Sequence, residues 1–74
     1  MHHDRLGIYV NTKENCAVRI SSPYWIPSGA DWVLVTLDTN ATLIRVREAA
    51  REKGVVADAE TIIWGDFAKL AHRA

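Results

Sequence analysis

Leu6-Gly7-Ile8-Tyr9-Val10-Asn11, then Thr12-Lys13-Glu14-Asn15, then Cys16-Ala17-Val18-Arg19-Ile20 is the stretch on which the fold turns. Both outer segments alternate. Leu6, Ile8 and Val10 share one face of the first, and Cys16, Val18 and Ile20 share one face of the second, with Ala17 and Arg19 opposite. Two period-two runs joined by a short polar loop predict an antiparallel hairpin with one face buried. A hairpin alone is marginal in water, so the rest of the chain must supply more strands or a helix to cover that face.

Residues 32–37 (Trp-Val-Leu-Val-Thr-Leu) read as a third strand, apolar at nearly every position. Val33, Val35 and Leu37 lie on one side, and Trp32, Leu34 and Thr36 on the other. Such a run suits a central position with cover on both faces. The intervening segment contains Pro23, Pro27 and Gly29 and reads as a loop, with Pro27-Ser28-Gly29 suited to a type I turn.

Asn40 is a good N-cap for a helix over residues 41–53, with Leu43, Val46, Ala49 and Ala50 on one side and Arg45, Glu48, Arg51 and Glu52 on the other. Ile44 falls outside the apolar stripe. Gly54 supplies a left-handed stop, with Val55 placed to touch Ala50 as in a Schellman motif. Beyond it two readings compete. Thr61-Ile62-Ile63-Trp64 can form a short strand followed by a helix capped at Asp66, or Asp58 can cap one long helix through Gly65. The β-branched run and the cost of a mid-helix glycine, about 1 kcal/mol, favour the strand.

The expected architecture is therefore α+β: a three- or four-stranded, mainly antiparallel sheet in the order β-β-β-α, then β-α, with one main helix on one face. Ile8, Val10, Val18, Ile20, Val33, Val35, Leu37, Leu43, Val46 and Ala50 are the expected core. Seventy-four residues leave room for one domain, 1–74, with 1–5 expected to be disordered. The apolar fraction of 49% is enough for a core.

Composition narrows function mainly by exclusion. Nine basic and nine acidic residues cancel, which removes the usual electrostatic reason to expect a nucleic acid or an anionic membrane as partner. The longest apolar run is far too short to cross a bilayer. One cysteine, Cys16, cannot form an internal disulfide, and the N-terminal residues lead into no apolar signal segment. Together these point to a reducing cytoplasm.

No catalytic, cofactor or metal site can be assembled from the residues. The three histidines, His2, His3 and His72, lie within three residues of a terminus, so no candidate nucleophile has a histidine base beside it in sequence. No pair of ligands has zinc spacing, and the four glycines are too far apart for a phosphate loop. A non-enzymatic role without cofactor is expected.

What stands out is aromatic. Tyr24, Trp25 and Trp32 flank one proline-glycine loop in a chain with three tryptophans. They are the candidate interaction surface, because flat amphipathic rings on a loop can engage a protein or stack on a base. The competing reading is that they enlarge a thin core.

Two resemblances bear on these segments. Val46-Arg47-Glu48-Ala49-Ala50-Arg51-Glu52-Lys53-Gly54-Val55 resembles the first helix and turn of a helix-turn-helix, which implies nucleic-acid binding. The would-be reading helix, 59–67, carries Glu60 and Asp66 but no lysine or arginine, which disfavours it. Residues 24–36, Tyr-Trp-Ile-Pro-Ser-Gly-Ala-Asp-Trp-Val-Leu-Val-Thr, are similar to a segment of small uncharacterised bacterial and prophage proteins. That similarity implies a bacterial source and a structural or assembly role. The expected function is a small binding or assembly module that acts on a protein partner or on itself, with nucleic-acid binding as the alternative. A homodimer fits a thin sheet with edges to cover.

Overall fold

The structure is a computed structural model and describes residues 5–27 and 29–66. Strands β1 (Gly7–Asn11) and β2 (Cys16–Ile20) form the expected antiparallel hairpin, with Tyr9 opposite Val18. Asn11 shapes its loop: the side-chain Oδ1 accepts from the backbone N–H groups of Lys13 and Glu14 at 3.0 and 2.9 Å, and Asn15 takes a positive φ of 56°. Asparagine suits both positions because its short amide mimics a backbone turn and tolerates the left-handed region.

Strand β3 (Trp32–Thr36) pairs antiparallel with β1, and β4 (Ile63–Trp64) pairs parallel with β2. The strand order β3-β1-β2-β4 makes a mixed four-stranded sheet with helix α1 (Leu43–Lys53) packed against it. The α+β class expected from the sequence is the class observed.

The hairpin, and not the third strand, is the centre. β3 is an edge strand, although Trp32 and Val35 are buried on its opposite faces. β1 lies between two neighbours and is buried along its whole length. Both of its faces are covered, so Tyr9 is as fully buried as Ile8 and Val10.

The cover on the two faces comes from the two crossings of the chain. Because β2 and β3 both run antiparallel to β1, the connection between them must cross the sheet. It leaves Ile26 packed on Tyr9, Val18, Ile20 and Trp32. The second crossing carries α1 over the other face. There Ile8, Val10, Ala17, Val35, Val46, Ala50 and Ile62 form the larger core.

The expected single core is therefore two layers. The register pairs Ile8 with Arg19 and Val10 with Ala17, so Val18 and Ile20 face away from Ile8 and Val10. Leu37 lies beyond the end of β3 and is exposed.

The helix also starts two residues later than predicted. Asn40 sits in a turn whose N–H donates to Asp38 Oδ1, and Thr42 is the cap, its Oγ1 accepting from the Arg45 N–H at 3.3 Å. The C-terminal stop is as expected. Gly54 is left-handed, its N–H donates to Arg51 C=O and that of Val55 to Ala50 C=O, the pairing of a Schellman motif.

After Gly54 the chain makes a 3₁₀ turn over Ala59–Thr61, capped by Asp58, and then the two-residue strand β4. The long-helix alternative is excluded for these residues, and the strand is shorter than predicted and parallel. The helix expected after Asp66, residues 1–4 of the five expected to be disordered and the turn residue Ser28 lie outside the described residues; Arg5, the fifth, is described, and its carbonyl accepts from the Tyr9 hydroxyl.

Candidate interaction surface

The loop that crosses the Tyr9 face is built to present rings. Ser22 begins it: its Oγ accepts from the Tyr24 N–H at 3.3 Å, while its carbonyl accepts from the Trp25 N–H at 3.2 Å. With Pro23 fixing the first φ, this closes a 3₁₀ turn over Pro23–Trp25. Ile26 then turns down onto the second apolar layer and Pro27 is buried. Anchored at Ile26 and Pro27, the turn leaves Tyr24 90% and Trp25 62% exposed.

The far end of the loop is tied to the hairpin. The Thr12 backbone N–H and its Oγ1 both donate to the Asp31 carbonyl, at 2.8 and 3.2 Å. Trp32 follows and is buried, 9% exposed, against Tyr9, Val18 and Ile20. The three predicted residues thus divide. Tyr24 and Trp25 form a surface pair, adjacent on one turn, and Trp32 is part of the core that supports the sheet beneath the loop.

A second exposed group lies at the β4 edge. Ile63 is 60% exposed, and the indole of Trp64 carries the Arg19 guanidinium over its face at 4.7 Å. Sequence reading assigned no role to Arg19 or Trp64. Their pairing depends on β4 lying parallel to β2 with Trp64 beside Ala17, a contact spanning more than forty residues.

The basic residues of α1 are largely engaged within the chain. Arg45 pairs with Glu48 at 3.0 Å, Arg51 with Glu60, and Arg47 Nε donates to the Ile62 carbonyl at 2.9 Å. No helix follows the turn at 54–58 within the described residues; the 3₁₀ turn and β4 stand where a reading helix would be. The helix-turn-helix reading therefore loses its second helix and the connected basic surface it needs.

Among the described residues no group of three or more histidine, cysteine, aspartate or glutamate side chains could hold a metal ion. Cys16 is buried. No helix of the described residues is long and apolar enough to cross a membrane. His2, His3 and His72 lie outside the described residues. Comparison with protein-family models, with curated proteins and with solved structures gives no match.

Proposed function

We propose that this chain is a small non-enzymatic binding or assembly module that engages a protein partner through Tyr24 and Trp25. One observation carries the reading: two large aromatic side chains, 90% and 62% exposed, sit on a turn whose backbone is held by a serine cap and two prolines. An aromatic side chain has only two χ angles to fix on binding and offers large contact area. Tyrosine and tryptophan dominate binding hot spots for that reason. We further propose a structural or assembly role in a bacterial cell. The single buried cysteine suits a reducing cytoplasm.

The test is site-specific photo-crosslinking in cells. A photoreactive phenylalanine analogue in place of Tyr24 is expected to give a discrete protein adduct, and the same group in place of Arg45 is expected to give none. Trp25→Ala should then weaken binding of the identified partner by at least about tenfold. No adduct from position 24, or one indifferent to Trp25→Ala, would refute the reading.

A further inference from the structure

Strand β3 ends the sheet on one side, and its edge protection is limited to a bulge between Leu34 and Thr36, opposite Ile8 and Tyr9, and to the Trp32 N–H, which donates to the Gly29 carbonyl. Residues 32–37 contain no charge and no proline, the two devices that most often block edge pairing. Which backbone groups face outward follows from the ladder. The Thr12 N–H donates to Asp31 C=O and the register places Val10 opposite Val33, so residues 31 and 33 point towards β1. Alternation then turns the N–H and C=O of Leu34 outward. The opposite edge is different in kind: β4 has two residues, and the Gly65 N–H donates back to Ala17 C=O at 2.7 Å.

The flanks of β3 are charged in a complementary sense. A cleft of about 300 Å³ beside Leu34, Val35, Thr36 and Leu37 is also lined by Arg5 and Lys53. At the other end of the strand stands exposed Asp31, whose carbonyl is bonded to the hairpin while its side chain lies at the surface. An antiparallel, two-fold pairing of two β3 strands centred on Leu34 turns the Asp31 end of one copy towards the Leu37 end of the other, with the bulge between Leu34 and Thr36 ending the regular ladder there. Asp31 of each copy then meets the Arg5 and Lys53 end of its mate, and like charges do not face each other.

We infer that β3 is a self-association edge: two copies of this chain pair their β3 strands antiparallel about Leu34, joining two four-stranded sheets into one. The two Leu34 residues exchange N–H···O=C bonds, and their side chains meet on the Tyr9 face. The interface is confined to one short strand and its flanks. It falls at the weak, reversible end of protein association, below the roughly 1,200 Å² of standard stable complexes. It uses a different element from the Tyr24–Trp25 turn.

Sedimentation equilibrium between about 10 µM and 1 mM, with amide exchange read by NMR on the same samples, tests this directly. The full chain should dimerise across that range, and exchange at the Leu34 amide should slow by roughly tenfold or more as the dimer fills. Asp31→Lys should weaken the dimer by about tenfold or more, and adding Arg5→Glu with Lys53→Glu to the same chain should restore it. Leu34→Pro removes an outward N–H without taking a bond from β1 and should leave a monomer. Tyr24→Ala with Trp25→Ala should leave the dimer intact. A chain that stays monomeric with a fast-exchanging Leu34 amide at 1 mM would overturn the inference. So would a dimer insensitive to Asp31→Lys, or one lost only on removing the aromatic pair. Protection of Leu34 only when a different protein is added would assign the edge to a foreign strand and refute self-pairing.

Discussion

The guanidinium of Arg19 lies 4.7 Å from the centre of the Trp64 ring, and the same side chain donates through Nη2 to the Ala41 carbonyl at 3.0 Å. One residue on β2 thus holds both the short strand β4 and the segment leading into α1. β4 offers only two residues of ladder, so side-chain contacts of this kind decide whether it stays docked.

Arg19→Ala and Trp64→Ala are each expected to lower stability. A double-mutant cycle should give a coupling of about 0.5–1 kcal/mol, the range of a partly exposed cation–π pair. Urea unfolding of the four chains measures it. A coupling indistinguishable from zero would mean that the two side chains stabilise the edge independently.

Gly7 is the tightest point of the sheet. A Cβ added there would lie 2.3 Å from the Thr36 carbonyl oxygen and 2.8 Å from Leu34 Cδ1. The oxygen belongs to backbone and cannot swing away, and the φ of 154° adds a conformation that side chains rarely adopt. Gly7→Ala should therefore separate β1 from the end of β3 and cost about 2–3 kcal/mol, read as a lowered denaturation midpoint. Gly29→Ala, where a Cβ would meet no atom within 4 Å, serves as the strain-only comparison.

The tryptophans should behave oppositely. Trp32→Ala opens the layer under the crossing loop and is expected to cost about 3–5 kcal/mol. Trp25→Ala, on the exposed turn, should stay within about 0.5 kcal/mol of the parent. Emission should agree: removing Trp32 takes away the blue-shifted component and removing Trp25 the red-shifted one. Equal losses of stability would contradict the division into core and surface.

The helix cap gives a sharp local contrast. Thr42→Ala removes the acceptor of the Arg45 N–H and should cost about 1 kcal/mol. Asn40→Ala removes no capping bond, because the donor at that position is its backbone N–H, and should cost clearly less. Thermal unfolding of the two variants checks the order.

Asn11 is buried at 8% exposure and accepts two backbone bonds in the hairpin loop. Asn11→Ala leaves those N–H groups without their protein acceptor and should cost about 1–3 kcal/mol. Asn11→Asp keeps an acceptor oxygen in the place of Oδ1 and should recover part of that loss if the loop bonds, and not the amide donors, are what matter.

What local chemistry could settle was legible in the chain. Alternation draws the hairpin, Gly54 stops the helix, and Ile44 lies off the apolar stripe and is 67% exposed. Each of these depends on residues close in sequence, whose spacing is itself the physical cause. The position of a strand within the sheet has no such local cause. An apolar strand can be central, or it can be an edge strand covered on both faces; β3 is the second, and Tyr9 marks β1 as the first only once its neighbours are known. Register behaves alike, since one pairing of Ile8 with Arg19 sends Val18 and Ile20 to the opposite layer from Ile8. The aromatic loop shows the same boundary. The sequence brought Tyr24, Trp25 and Trp32 to notice as one group. Only the path of the chain across the Tyr9 face separated them, burying Trp32 in the sheet and lifting Tyr24 and Trp25 on a turn pinned from below by Ile26.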